Sequence, residues 1–225
     1  MTSARQLATL TRRYRIQPPG APGMIPAPEA LLRLRDGNAR FAADDAEHEP
    51  HHYRVPREML AAGQDPFAIV VGCSDSRVPV EIIFDQGVGE LFVIRVAGNV
   101  ISCTQLASIE FAAVNLGARL VVVLGHTRCG AMNAALTAVQ TGLEPEPENL
   151  RLLVGKIRPS VERALETGHG RDAAEIAKLA EREHIRQAVE AVRTGSETVR
   201  RLVEKDGFMV VGAEYSLATG LVDFF

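Results

Sequence analysis

The sequence predicts an α/β fold: a mostly parallel central β-sheet flanked by helices, with an N-terminal arm before it. Two observations lead to this prediction. Four short runs rich in Val, Ile and Leu end at glycine or polar residues, as strands covered on both faces do. Segments with helical spacing of apolar residues separate some of these runs. The predicted strands are 67–72, 91–98, 120–125 and 208–213.

The N-terminal part of the chain divides at a segment rich in proline and glycine. Residues 17–28, QPPGAPGMIPAP, disfavour a regular helix because proline lacks a backbone N–H and glycine favours turns. We therefore expect an arm at 1–27 and a single domain at 28–225. One domain suits a chain of 225 residues of which 46% are hydrophobic.

Helices are predicted at several places in the domain. The first starts at Pro28 and is interrupted or bent at Asp36–Gly37; a second, short helix near 57–63 follows a polar stretch. Residues 104–118 fit a helix that ends near their glycine and joins two strands by a right-handed crossover. The segment 144–205 fits two or more amphipathic helices.

Composition excludes several classes of partner and site. The net charge of −3, with Lys and Arg scattered along the chain, provides no broad positive field, so no nucleic-acid partner is expected. No apolar run reaches the roughly 18 residues that span a bilayer, and no secretory signal is recognisable. We therefore expect a cytoplasmic protein with no membrane partner. Its three cysteines are expected to be buried, reactive or metal-bound rather than paired.

Two of the predicted strands end in a glycine followed by a potential metal ligand. Cys73 follows the strand at 67–72, and His126 follows the strand at 120–125, with Cys129 on the same loop. Open α/β sheets bind ligands at the carboxyl ends of their strands, so these side chains are expected to converge. Two thiolates and an imidazole suit zinc, and three protein ligands leave a fourth position open, as in catalytic sites. Taken singly, each residue is more often a buried hydrophobe or a satisfied polar group.

Asp75 and Arg77 follow Cys73 at alternate positions and can point to its side of the chain. A carboxylate there can ligate the metal and close the site, or it can accept a hydrogen bond from water at the open position. A bidentate pair with Arg77 would hold Asp75 ionised and away from the metal. A simple turn-stabilising pair fits the short SDSR sequence equally well.

The motifs CSDSR and GHTRCGA, each at the end of an apolar run, resemble those of the β-class carbonic anhydrases. These are zinc enzymes that interconvert carbon dioxide and bicarbonate, using hydroxide generated at the metal. The resemblance extends from about Pro28 to the end of the sequence and includes GELFVIRVAGN and GAEYSLATG. It implies Zn²⁺, one per subunit, held by Cys73, His126 and Cys129. It also implies a catalytic dyad of Asp75 and Arg77, in which Asp75 binds zinc only in a closed form.

The resemblance further implies five substrate-binding residues. Gln64 matches a glutamine that donates a hydrogen bond to the substrate, and Gly130 matches a glycine whose backbone lines the pocket. Phe92, Ala97 and Phe111 match apolar positions around carbon dioxide. The position of Phe111 is often tyrosine in plant-like members, so the hydrogen bond from that phenol is missing here.

The resemblance also implies a homodimer, or a dimer of dimers, with the active site at the subunit interface and the N-terminal helical arm packed on the partner. Gln64 and Phe111 would reach across to the other subunit's metal. The chain has no tryptophan, which argues against the regulatory bicarbonate site of some members. No residue is singled out for proton export; His48, His51 and His52 are candidates because histidine titrates near neutrality, although a solvated loop is the simpler interpretation.

Two alternative functions remain open at this point. A related zinc hydrolase acts on carbon disulfide, and an apolar pocket alone does not distinguish that substrate from carbon dioxide. A non-enzymatic zinc-binding or redox-sensing protein would also need cysteines such as Cys73 and Cys129. Substitution of Asp75 by asparagine separates this last alternative from an enzyme.

Overall fold

The computed structural model describes residues 24–46, 61 and 63–225. A central five-stranded sheet has the strand order β2-β1-β3-β4-β5, in which the first four strands are parallel and β5 is antiparallel to β4. The predicted fold class, a mostly parallel sheet with flanking helices, is confirmed. The strands are β1 (Ala68–Gly72), β2 (Leu91–Arg95), β3 (Leu120–His126), β4 (Met209–Tyr215) and β5 (Val222–Phe224).

The four predicted strands match β1 to β4 with ends that differ by a few residues. The run predicted at 91–98 ends as a strand at Arg95, and a short 3₁₀ turn, Ala97–Asn99, follows it. The sequence did not predict β5. That strand has only three residues and pairs Val222 with Tyr215, so it is too short to carry a recognisable alternation of apolar and polar residues.

Helices cover both faces of this sheet. The segment predicted to hold two or more amphipathic helices contains three, and the helix predicted at 104–118 is present. The helices are α1 (Ala27–Ala42), α2 (Val80–Ile83), α3 (Cys103–Asn115), α4 (Gly130–Thr141), α5 (Glu148–Thr167), α6 (Ala173–Thr194) and α7 (Glu197–Lys205).

The predicted break at Asp36–Gly37 is wrong, because α1 continues through it to Ala42. Gly37 is buried where α1 crosses the end of α2. A Cβ atom at this position would lie 1.9 Å from the backbone oxygen of Phe84. The glycine therefore allows two backbones to approach closely and does not end the helix.

Gly37→Ala should lower the free energy of unfolding by about 1–3 kcal/mol, the usual cost of overpacking. The clash is with backbone, so no side-chain rotation can relieve it. Gly155→Ala is the matched control, since a Cβ there meets nothing within 4 Å on helix α5. The control should be neutral or stabilising by up to about 1 kcal/mol. Urea unfolding of both variants measures this, and equal stability of Gly37→Ala and the parent would contradict the close approach.

Three clusters of buried apolar side chains fill the layers. One lies between α1, α2 and one face of the sheet, and the second lies between the other face and α3, α6 and α7. The third joins α4, α5 and α6 beyond the carboxyl ends of β1 and β3, and it includes Cys73 and Cys129. The residues predicted to bind metal therefore lie where the sheet ends and this third helical layer begins.

Asn38 connects helix α1 to a distant part of the chain. Its buried side-chain amide donates to the backbone oxygens of Ile83, at 3.2 Å, and Gly220, at 2.8 Å. Its side-chain oxygen accepts the N–H of Val222 at 2.8 Å. These bonds fix the turn that leads into β5 against the C-terminal half of α1.

Several predictions lie wholly or largely outside the described residues. They are residues 1–23 of the predicted arm at 1–27, with its packing on a partner, most of the short helix near 57–63, and the candidate proton carriers His48, His51 and His52. The division into an arm at 1–27 and a domain at 28–225 stays a prediction. Among the helices that the structure describes, none is both long enough and apolar enough to cross a membrane.

Candidate metal centre

Cys73, His126 and Cys129 converge at the carboxyl edge of the sheet. Adjacent strands β1 and β3 are in a register that pairs Gly72 with Leu124, so Cys73 and His126 emerge side by side. Cys129 is the N-cap residue of α4 and approaches from the loop that follows β3. The ligand atoms of the three residues all lie within 4.8 Å of one another, and all three residues are buried.

The ring of His126 has one nitrogen engaged and one available. Its Nδ1 lies 3.0 Å from the carbonyl oxygen of Thr127, which can only accept, so Nδ1 carries the hydrogen. Its Nε2 is buried and has no hydrogen-bond partner within the described ranges. A histidine whose other nitrogen donates to a backbone carbonyl is the usual arrangement for a metal ligand. The free Nε2 lone pair therefore faces the two sulfurs as a metal ligand would.

The two thiols differ in their surroundings. Cys73 Sγ accepts backbone N–H groups from Asp75, at 3.4 Å, and Gly98, at 3.3 Å. The hydrogen bond from Cys129 lowers the pKa of Cys73 to about 4 against the effect of burial, and His126 lowers it further. The same pairing, together with burial, raises the pKa of Cys129. Because zinc binds thiolates, a cation that takes both sulfurs must displace any proton that they hold.

Asp75 pairs with Arg77 in the bidentate manner expected. Arg77 Nε lies 2.9 Å from Asp75 Oδ1, and Nη2 lies 2.8 Å from Oδ2. This hydrogen bonding holds the pKa of Asp75 well below its usual range, although partial burial opposes it. Arg77 Nη2 also donates to the carbonyl oxygen of Arg128 at 3.3 Å, which connects the two loops that carry the cysteines. Asp75 Oδ2 lies 3.9 Å from His126 Nε2, so the carboxylate borders the metal position.

This donor set fits zinc. Zinc binds sulfur at about 2.3 Å and imidazole nitrogen at about 2.0–2.1 Å, so two ligands of a tetrahedral ion lie about 3.5–3.8 Å apart. The three ligand atoms within 4.8 Å of one another approach that spacing. Two soft sulfurs favour zinc over calcium or magnesium, which prefer oxygen. A metal ion would also satisfy the otherwise unpartnered His126 Nε2.

Sequence reasoning did not identify Arg95, which holds the loop that contains Cys73 and Asp75. Arg95 Nε donates to the carbonyl oxygen of Cys73 at 3.0 Å, and Nη2 donates to that of Asp75 at 2.6 Å. Arg95 is the last residue of β2 and lies beside Gly72 in the sheet. Arg95 could have been recognised from its position in the sequence, because it ends a strand predicted to lie in the same parallel sheet as the strand before Cys73.

Glu181 is a second residue that the sequence did not indicate. Its buried carboxylate, on α6, accepts the backbone N–H of Cys129 at 3.3 Å. Burial raises its pKa, and the hydrogen bond from Cys129 partly offsets this. In the sequence Glu181 lies within the charged stretch EREH. Such a stretch is typical of a solvated helix face, so no local pattern identified it.

The predicted substrate-binding residues are not all brought to the cluster. Gly130 directly follows Cys129 and begins α4, and Ala97 begins the turn that leads to Gly98. The rings of Phe92 and Phe111 lie 6.1 Å apart, and Phe111 is 39% exposed. Gln64 is exposed in the segment before β1, and no hydrogen bond within the described residues joins it to the cluster. The roles of all five stay predictions.

Comparison with known proteins agrees with these features. The family model for carbonic anhydrase matches residues 68–222. Carbonic anhydrase 2 of Mycobacterium tuberculosis is 40% identical over 191 residues, which cover 85% of this chain and 89% of the relative. The carbonic anhydrase of Mycolicibacterium smegmatis is 38% identical over 194 residues, covering 86% and 91%.

The fold has a solved counterpart as well. The β-carbonic anhydrase CafA of the fungal pathogen Aspergillus fumigatus superposes with a TM-score of 0.68 at 27% identity. The match covers 88% of this chain and 89% of that chain. The extent of both matches, together with the Cys-His-Cys cluster at the carboxyl end of the sheet, shows that the chain belongs to the β-carbonic anhydrase family of lyases.

Proposed function

We propose that this protein catalyses the zinc-dependent, reversible hydration of carbon dioxide to bicarbonate and a proton. The observation that carries the proposal is the convergence of Cys73, His126 and Cys129 beside an Asp75 that Arg77 holds. The reaction adds the oxygen of one water molecule to the carbon and releases one proton. It therefore needs a nucleophile at neutral pH and a group that orients it.

Cys73, His126 and Cys129 would hold the zinc ion, and Asp75 would orient the attacking water. Bound zinc supplies Lewis acidity, which makes water a usable nucleophile near neutral pH. Asp75 stays ionised because Arg77 lowers its pKa. Each carboxylate oxygen has two lone pairs, so Asp75 can accept a hydrogen bond from water while it remains paired with Arg77. Arg77 thereby keeps the carboxylate ionised and available as an acceptor at the border of the metal position.

The substrate would occupy an apolar pocket near the cluster. Carbon dioxide is small and uncharged, so side chains such as Phe92, Ala97 and Phe111 would hold it by weak apolar contacts. The Gln64 amide would orient one of its oxygens, and the backbone of Gly130 would line the pocket. The half-exposed ring of Phe111 against Phe92 supports an apolar surface here.

We further propose a homodimer, or a dimer of dimers, in the cytoplasm. The exposure of Phe111 supports a covering second subunit, because a large apolar ring gains free energy when it is removed from water. Gln64 would then reach the partner's pocket, and its exposure within one subunit supports this arrangement.

Stopped-flow measurement of carbon dioxide hydration tests the proposal. The purified protein should catalyse the reaction, lose activity after zinc is removed with a chelator, and regain it when zinc is returned. Carbon disulfide is assayed in parallel, and faster turnover of that substrate would assign the protein to the alternative hydrolase. A protein that binds zinc but hydrates neither substrate would contradict an enzymatic role.

A further inference from the structure

A buried hydrogen-bonded chain lies behind the candidate metal centre. His184, on α6, is 5% exposed and its Nε2 lies 2.7 Å from the carbonyl oxygen of Gly98. Because a carbonyl only accepts, Nε2 carries the ring hydrogen and donates it. On the other side of the ring, Nδ1 lies 3.3 Å from the hydroxyl oxygen of Ser160 on α5. The ring is thus held between a helix and the turn that follows β2.

This turn has an unusual backbone. Gly98 has φ +65° and Asn99 has φ +42°, so two consecutive residues are left-handed, and the second is not glycine. Glycine adopts this conformation freely, but a non-glycine residue such as Asn99 does so at a cost in free energy that neighbouring contacts must offset. A Cβ at Gly98 would lie 2.8 Å from Ile157 Cδ1, so the turn is also packed tightly.

The two sides of Gly98 lead to different groups. Its carbonyl oxygen accepts from His184, and its N–H donates to Cys73 Sγ at 3.3 Å. Both peptide groups belong to one tightly packed turn, so a displacement of this turn away from His184 would also move the N–H that donates to Cys73. The direction of the N–H···S bond is therefore coupled to the position of the His184 ring.

The ring itself is fixed by further contacts. The Ser160 hydroxyl lies 2.8 Å from Gln187 Oε1, and Gln187 Nε2 donates to Glu183 Oε1 at 3.1 Å. The hydroxyl has one hydrogen, which it donates to Gln187, so these bonds hold Ser160 in place beside Nδ1 as a contact of the ring. A simple core histidine needs a partner for its nitrogens, but it does not need one that leads to a metal-binding sulfur.

We propose that His184 is a positioning residue for the metal centre, which acts through Gly98 on the Cys73 sulfur. This inference rests on the proposed zinc site. An N–H donated to a ligating thiolate fixes its orientation and reduces the electron density that it gives to the metal. His184 thus tunes the bond between Cys73 and zinc without contacting either.

Two substitutions at one position test the role. His184→Leu keeps an apolar side chain of similar size but removes the donor, whereas the amide nitrogen of His184→Gln can stand near the position of Nε2. Zinc affinity is measured by competition with a chromophoric chelator, and the thiolate-to-metal charge-transfer band is recorded after replacement of zinc by cobalt(II). His184→Leu should weaken zinc binding about tenfold, the lower end for an outer partner of a ligand, and shift the band. His184→Gln should restore both toward the parent.

Val192→Ala is the matched control, since Val192 is buried on the same helix but packs in the cluster with α3 and α7. It should reduce stability and leave zinc affinity and the cobalt band unchanged. An unchanged band and affinity in folded His184→Leu would overturn the proposal, as would equal shifts in Val192→Ala. If His184→Leu does not fold, Ser160→Ala replaces it as the test. This variant keeps the ring but removes the hydroxyl beside Nδ1, so it should shift the cobalt band by less than the shift expected for loss of the ring. An unshifted band in Ser160→Ala then overturns the proposal.

A measurement on the parent protein needs no variant. With cadmium-113 in the site, scalar coupling between the Gly98 amide proton and the metal detects the N–H···S bond through Cys73. Its presence supports the proposed path, and its absence overturns it. A parent protein that binds zinc and hydrates carbon dioxide while His184→Leu is unaltered would refute only this inference. A parent protein that binds no zinc would refute the proposed function itself.

Discussion

Replacing Cys73 with serine should remove the bound zinc and reduce carbon dioxide hydration to the uncatalysed rate. A serine hydroxyl does not ionise near neutral pH, so the site would keep one thiolate and one imidazole. Loss of an outer partner of a ligand already costs about 10–100-fold in metal affinity, and loss of the ligand itself should cost more. Metal analysis after gel filtration and stopped-flow hydration measure the two effects.

Cys103→Ser is the control for this substitution. Cys103 is an exposed free cysteine at the start of α3, outside the cluster of ligand atoms. The same chemical change there should leave metal content and hydration near those of the parent. Full zinc content in Cys73→Ser would show that this sulfur is not a ligand and would contradict the proposed site.

Asp75→Asn should reduce hydration by about 100-fold or more while zinc stays bound. The amide has nearly the same shape but no charge, and it offers only one oxygen to Arg77 where the carboxylate uses two. It also presents an N–H₂ donor toward a position where an acceptor is required. Removal of a positioned proton acceptor typically costs 10²–10⁴-fold in rate.

Asp223→Asn is the matched control, because Asp223 also pairs with an arginine, Arg182, at 2.8 Å, but on β5. It should keep full activity. The assay compares kcat and zinc content of both variants with the parent. Asp75→Asn should not affect a redox-sensing or purely zinc-binding protein. Zinc binding that is unchanged in this variant, with no hydration activity lost, would therefore favour such a role over an enzyme.

The sequence predicted the sheet and the cluster for the same physical reason. Strands covered on both faces must be apolar throughout, so β1 and β3 stand out as continuous runs. Parallel strands end at one edge, so polar residues placed just after them converge, as Cys73 and His126 do. The pairing of Asp75 with Arg77 followed from complementary charges two residues apart.

Features that depend on tertiary contacts were missed or mistaken. Gly37 was interpreted as a helix breaker, although its role is to let Phe84 approach the backbone of α1. Glu181 looked like a surface residue because its burial depends on how α6 packs against the Cys129 loop. Local composition carries no information on which helix will cover a given charged side chain. The roles expected of Gln64 and Phe111 at a subunit interface stay predictions.

The hydrogen bonds of Asn38 have a consequence for biosynthesis. Its amide pairs with Gly220, which is 182 residues further along the chain, and with Val222, 184 residues further. While the ribosome is still translating the intervening segment, helix α1 has only Ile83 as a partner for that amide. Two of the three bonds of this side chain therefore form only after Gly220 and Val222 have been synthesised, and a nascent chain stalled before Gly220 leaves incompletely paired a polar group that the finished protein buries.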